Sequence, residues 1–493
     1  MRKLISKEQF VSGTFWKVLE TVMSGGTTLI VSIILARLLD ADAFGIIALA
    51  SIIINFSEII LQSAFVAPLV QKDNIDDVDY TSVLIFSLIC ATGLYIIVFG
   101  TAPFFAKAYD KEILTPILRV ISIIFIFQAM GSVRTAIISR NMRFKTLSIC
   151  TVIASVSSGI LGVVLALCNF GVWALVFQKI AYQAILNIVL FWVISWKPKL
   201  KGIALTRIKG LLSFGSKVFG SSLISYISDS SISIVTGKAY SVSALGYSSK
   251  GTQYPCVVSI FSFQAVATSL FPTLASYQHD IKSQKIIMRK VVSVVAFLLF
   301  PMMLGMFAVS DRLIIFLLTD KWVLSIPFMK IACIYYCATP LMLINIQLYH
   351  SRGNGDVRLF LELIKLICTL SCLFFGVAVF HYSLITIFVF RTCIEILIAF
   401  ISITELKNAV DYSLFEYYMD IIKPFFQSIV MVVVVQGVGL LLNFNNGLVL
   451  LCQIILGVII YLFLSLLLKP NGYTDFMRVL SERLHNENNS SNL

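Results

Sequence analysis

Apolar residues come in long blocks separated by short polar segments, near 15–37, 43–67, 80–106, 115–138, 146–168, 171–195, 213–237, 243–274, 288–310, 325–349, 359–380, 383–404, 423–443 and 447–468. An α-helix rises about 1.5 Å per residue, so about 20 apolar residues cross the roughly 30 Å of bilayer hydrocarbon. The blocks meet that length. The pattern predicts an all-α polytopic membrane protein with about fourteen transmembrane helices and both chain ends on one side.

The polar segments give the sidedness. With the N-terminus placed in the cytoplasm, most loop lysines and arginines fall on the cytoplasmic side, as the positive-inside bias requires. The clearest such loop is "SWKPKLKGIALTRIKGLLSFG", where Lys197, Lys199, Lys201, Arg207 and Lys209 alternate with Leu200, Ile203, Ile208 and Leu211. It is expected to lie as an amphipathic helix in the headgroup layer. Loops on the far side are as short as "NFG" at 169–171 and "HY" at 381–382, too short for an external catalytic domain. No cleavable signal peptide is expected, because the first apolar block carries Lys17 and Glu20 and outruns an h-region.

Composition agrees: the chain is 58% hydrophobic and 13% charged, with a mean hydropathy of +0.93, far from soluble domains. The net charge of +13 follows topology instead of gathering into a basic face, so no nucleic-acid partner is expected. Ten cysteines are scattered, mostly within apolar blocks, as small apolar residues and not as a disulfide or metal framework. The glycine-rich phosphate signatures and the HExxH zinc pattern are missing, and the four histidines are dispersed.

The blocks also repeat. Asp110 and Pro116 recur as Asp320 and Pro327, Ser139-Arg140 as Ser351-Arg352, Asn169 as His381, and Lys179 as Arg391. Earlier in each copy, Phe44-Gly45 matches Leu245-Gly246, Arg37 matches Lys238, and Pro68 matches Pro272. An even number of spans per copy makes these parallel repeats, two six-helix lobes related by an axis along the membrane normal. The expected organisation is an N-terminal lobe at 1–195 (helices 1–6), an amphipathic linker at 196–212 and a C-terminal lobe at 213–404 (helices 7–12). An interfacial helix at 405–422, helices 13–14 at 423–468 and a cytoplasmic tail at 469–493 follow.

Ionisable groups inside the bilayer are costly and mark pathways unless they snorkel to an interface. Arg119, Lys330, Arg134, Glu362 and Lys365 lie toward helix ends and are expected to snorkel. Lys179 and Arg391 each lie eight residues, about 12 Å, inside an outer helix end. They are candidate anion ligands, against which stands a same-helix pairing of Arg391 with Glu395. Span 7 is polar: Ser222, Ser225, Asp229, Ser233, Thr236 and Tyr240 recur at three- and four-residue spacing along one helical face. That stripe is expected to line a wet cavity, with helix packing as the alternative. Asp229 is a candidate ion-coupling group, with Glu58 and Glu20 weaker ones. Lys250 lies at a depth similar to Asp229, as a third candidate substrate cation or as its structural partner.

The segment "SDSSISIVTGKAYSVSALGYSS" carries Asp229, Gly237 and Leu245-Gly246-Tyr247 in a D…G…LG-Y pattern. With "LFPTLA" around Pro272, "LLTDKW" at Leu317 to Trp322 and "LARLLDADAFG" in the first half, it resembles the polysaccharide transporter, or Wzx-type oligosaccharide flippase, family. That family belongs to the multidrug/oligosaccharidyl-lipid/polysaccharide exporter superfamily, and the likeness is greatest to its colanic-acid branch. Ser248-Ser249-Lys250 departs from the less polar continuation expected there.

The resemblance implies two lobes in a V that move undecaprenyl-diphosphate-linked oligosaccharide from the inner to the outer leaflet of the bacterial plasma membrane by alternating access. Such a transporter serves O-antigen, capsule or exopolysaccharide synthesis alongside polymerase and chain-length partners. No enzymatic activity and no cofactor are expected; coupling to H⁺ or Na⁺ through Asp229 is permitted but not required, since an anion leaving a negative interior gains roughly 2.3 kcal/mol per charge per 100 mV. The alternatives are a multidrug/cation antiporter of the same superfamily and a membrane glycan polymerase, the second disfavoured by the short external loops.

Overall fold

The computed structural model describes residues 7–71, 75–141, 143–198, 205–353, 355–442, 445–478 and 481. These are helical, with short turns and no strand among the described residues. In chain order the helices are α1 (Lys7–Leu38), α2 (Ala41–Leu61), α3 (Ala67–Gln71), α4 (Asp77–Ala108), α5 (Leu114–Ile121), α6 (Ile124–Arg140), α7 (Phe144–Leu167), α8 (Val172–Val193), α9 (Leu205–Val235) and α10 (Val242–Ser276). They continue with α11 (Ile281–Leu318), α12 (Ile326–Ser351), α13 (Gly355–Leu373), α14 (Leu384–Val410), α15 (Leu414–Leu441) and α16 (Asn446–Leu468). Among the described residues, twelve helical segments are long and apolar enough to cross a membrane. The expected spans 213–237 and 243–274 fall on α9 and α10, which are not among those twelve.

Among the described residues, wide helical turns mark three places. Gln62–Val66 joins α2 to α3, Thr236–Tyr240 ends α9, and Phe374–Val379 ends α13. Such π-turns insert a residue into the helical ladder and often lie at functional positions. Local chemistry sets the helix ends: Asp76 with Asp79 and Ser413 with Glu416 form capping boxes on α4 and α15, satisfying N–H groups with no intrahelical acceptor. Pro116 and Pro327 lie in the first turns of α5 and α12, where a missing N–H costs little. Asn169 and His381, matched by the sequence repeat, both adopt left-handed backbone (φ 62° and 50°), so the duplicated corner keeps its conformation.

The chain divides into two compact units, Met1–Ser249 and Lys250–Leu493. The first contains α1–α9 and the first two turns of α10, so the opening helix of the second sequence repeat folds with the first. The amphipathic linker expected at 196–212 is described only in part. Of that linker, residues 199–204 lie outside the described residues, while 205–212 continue into α9. Most of the expected tail, at 479–480 and 482–493, also lies outside them.

Helix packing in lipid relies on close contact and small residues, because lipid tails are as apolar as leucine. In the first unit α7 packs on α1 and α8, with Gly159 against Val31 and Gly162 against Gln178. In the second, α11 packs on α12, α15 and α16, and α12 on α14. Met288, Val292, Leu299, Met303, Leu348 and Tyr412 belong to a buried cluster there. Beside it Asp420 accepts from Arg289 through Nε at 2.8 Å and a terminal nitrogen at 2.9 Å, from the Tyr412 hydroxyl at 2.8 Å and from Asn471 at 3.1 Å. This ties α15 and the segment after α16 to α11.

Candidate functional site

The end of the first unit at which α2 begins is closed by a backbone contact. A methyl placed on Gly45 would overlap the carbonyl oxygen of Val242, and one on Gly246 would overlap that of Ala41. The two helices therefore cross with no side chain between them, each glycine against the carbonyl four residues before the other. Ser243 Oγ donates to Asp42 Oδ1 at 3.0 Å, and Lys111 Nζ contacts both Asp42 oxygens at 2.9 Å. Lys238 lies 3.9 Å from Asp110, and the Tyr109 hydroxyl donates to the Ile234 carbonyl at 3.3 Å.

Directly below this closure, α2, α4, α5, α6 and α9 surround a cavity of about 530 Å³. Leu49, Ile52, Leu94, Ile97, Leu223 and Ile227 are among its lining side chains. Four of its bordering hydroxyls are bonded into the protein: Thr101 to the Ile97 carbonyl at 2.8 Å, Ser57 to Gln128 at 3.0 Å, Ser231 to the Ser228 carbonyl at 2.8 Å, and Tyr226 to the Ile52 carbonyl. The surface left facing the space is carbon.

This cavity takes Leu223, Tyr226, Ile227, Ser230, Ser231 and Ile234 from α9. The predicted stripe lies on a different face of the same helix. There Asp229 is exposed, Ser222, Ser225, Ser233 and Tyr240 are half-buried, and Thr236 is buried. Lys250 is buried, with its ammonium 3.1 Å from Gln253 Oε1.

The mid-span charges gather separately in each unit. In the first, Lys179 of α8 lies within electrostatic range of Glu58 of α2, and Tyr182 on the next turn of α8 within that of both Glu58 and Glu20 of α1. Glu58 is exposed, Lys179 half-buried and Glu20 buried. Lys179, which has no carboxylate on its own helix, thus finds one on another. An ammonium within electrostatic range of a carboxylate suits proton or cation exchange as well as anion contact.

In the second unit, the Arg391 guanidinium lies 4.8 Å from the centre of the Tyr335 ring. Glu395, one turn along α14 and only 1% exposed, meets Lys365 at 3.4 Å and the Thr339 hydroxyl at 3.1 Å. Sequence spacing suggested Arg391 as the partner of Glu395 and did not single out Lys365. The signal that could have found it is Glu362 and Lys365 one turn apart within an apolar block.

The expected snorkelling divides. Arg119 remains at a helix end over the Phe99 ring at 4.4 Å, and Lys330 pairs with Asp311 at 2.8 Å. Arg134, Glu362 and Lys365 are instead buried; Arg134 donates to the Met130 carbonyl at 3.2 Å and lies 4.9 Å from the Phe191 ring. Span position gives depth along a helix but not the face a side chain occupies.

Known proteins show the same architecture. The inward closed conformation of the lipid II flippase MurJ superimposes with a TM-score of 0.72 at 16% identity, covering 95% of this chain and 99% of that one. An inward-facing multidrug resistance MATE family transporter of the MOP superfamily gives 0.55 at 14% identity, over 81% and 94%. In sequence, the teichuronic acid biosynthesis protein TuaB of Bacillus subtilis (strain 168) is 23% identical over 86% of this chain and 88% of its own length. The succinoglycan biosynthesis transport protein ExoT of Rhizobium meliloti (strain 1021) is 24% identical over 73% of each. The lipopolysaccharide biosynthesis protein WzxC of Escherichia coli (strain K12) is 20% identical over 66% and 67%. A family model described as polysaccharide biosynthesis protein matches residues 34–327, more than half of the chain. This multi-span membrane protein belongs to the polysaccharide biosynthesis protein family.

Proposed function

We propose that the protein is a flippase that moves undecaprenyl-diphosphate-linked oligosaccharide across a bacterial plasma membrane, supplying repeat units for a surface polysaccharide. The observation that carries this reading is the family match over 34–327, joined to relatives named for teichuronic acid, succinoglycan and lipopolysaccharide synthesis. The fold shared with a lipid II flippase supports it.

Both termini are cytoplasmic in this reading, which the charge bias of the loops supports, so the Asp42 end is the external one and the glycine contact an outer closure. In this reading Lys179 and Arg391 take the diphosphate, arginine by its planar donor fork and lysine as a point charge. Lys250 and the α9 stripe of Ser222, Ser225, Ser233, Thr236 and Tyr240 serve the sugar path. Asp229, Glu58 and Glu20 are the groups for H⁺ or Na⁺ coupling, and polymerase and chain-length proteins are the partners.

Glu58 within electrostatic range of Lys179 also favours a second reading, a cation exchanger of the same superfamily. Loss of the protein from its native cell separates the two. A flippase leaves lipid-linked repeat units accumulating on the cytoplasmic side and the surface polymer missing. Unchanged polymer with altered tolerance to cationic dyes contradicts it and favours the exchanger.

A further inference from the structure

The carbon-walled cavity below the closure presents almost no polar surface to a phosphate or a sugar. We propose that it is a binding site for the isoprenoid tail of the lipid-linked substrate, with the diphosphate held at the adjoining rim by Lys238 and Lys111. This deepens the flippase reading and rests on it.

Three features fit that occupant. First, the bordering hydroxyls named above already donate to protein acceptors, so the space offers a ligand little besides dispersion contact and suits a hydrocarbon chain. Second, the cavity is open between α4 and α9: Ile97 is 60% exposed and Ile227 and Ile234 are each 43% exposed, although all three line it. Both helices cross the bilayer in this reading, so the opening admits a chain sideways from lipid without passage through water.

Third, the charge at the rim is complementary. Ile234 and Tyr109 form the end of the cavity nearest the closure, and Lys238 stands one turn beyond Ile234. Its side chain is 57% exposed and 3.9 Å from Asp110, a loose pairing that a diphosphate oxygen readily replaces. Lys111 lies at the same end, bound to Asp42. A tail between α4 and α9 therefore puts its diphosphate beside two lysines at the outer surface. This is the position of a substrate that has already crossed.

The test uses the full-length protein in phosphatidylcholine vesicles, with a photoreactive phenylalanine analogue at Ile227. Ile149, exposed on α7 and outside the cavity, carries it as control. The probe is radiolabelled undecaprenyl diphosphate. Labelling at 227 is expected to be saturable, several-fold above that at 149, competed by unlabelled undecaprenyl diphosphate and not by phosphatidylglycerol. Lys238→Gln should weaken it several-fold.

Labelling at 227 no greater than at 149, or equal competition by phosphatidylglycerol, overturns the proposal, the second outcome meaning that ordinary bilayer lipid fills the space. Transport by the same vesicles tells the two failures apart. Transport without labelling at 227 removes the tail site and keeps the flippase; specific labelling without transport keeps the site and removes the flippase.

Discussion

Gly45 and Gly246 occupy matching places in the two sequence repeats, and each lies against the backbone carbonyl four residues before the other, Val242 for Gly45 and Ala41 for Gly246. The hydrogen bond between Asp42 and Ser243 joins another matched pair. The duplicated turn has thus become a contact between copies of itself, and side chains are excluded because the helix backbones touch. Gly45→Val or Gly246→Val should force α2 and α10 apart, with overpacking worth about 1–3 kcal/mol. Reaction of a cysteine replacing Leu49 with a membrane-impermeant maleimide should rise several-fold in either variant over the unmodified closure; equal labelling would mean that the glycines do not hold this end shut.

Lys365 and Glu395 form a buried pair within the second unit. Removing one member of such a pair leaves a charge without compensation and costs about 3–5 kcal/mol, whereas removing both is far milder. Lys365→Ala should lower the thermal midpoint in detergent markedly, and Lys365→Ala with Glu395→Ala should recover most of the loss. Additive losses in the double variant would contradict this pairing.

Asp280 caps α11 by accepting from the Ser283 amide at 3.1 Å, and the Ser283 hydroxyl and amide together hold its carboxyl below the usual carboxylate range. A depressed folded-state pKa adds stability that is present above the unfolded value and is lost as pH falls through the folded one. Asp280→Ala should therefore lower the thermal midpoint slightly at neutral pH, and the difference should close on acidification. A gap that stays constant at acid pH would assign the effect to something other than this cap.

Much of the fold was legible in the sequence because bilayer thickness dictates block length and the repeat dictates register. Asn169 and His381 turn alike, and Pro116 and Pro327 each begin a helix. Less legible was the site. A periodic stripe on α9 could be recognised, but not that a neighbouring face, Tyr226 to Ile234, walls the apolar cavity. Charge partners were hidden for the same reason: Glu58 comes within electrostatic range of Lys179, and Lys365 meets Glu395, only when helices distant in sequence pack together. The glycine crossing was visible as matched motifs, yet nothing in one dimension shows that matched positions touch.

The most direct test is translocation by the purified protein alone. Vesicles containing undecaprenyl-diphosphate-linked oligosaccharide with a fluorescent sugar are treated with a membrane-impermeant quencher, with and without the protein. Inner-leaflet lipid should become quenchable only when the protein is present, and Arg391→Ala should slow this more than Lys179→Ala. Inner-leaflet fluorescence that survives equally with and without the protein would contradict the assignment as a flippase.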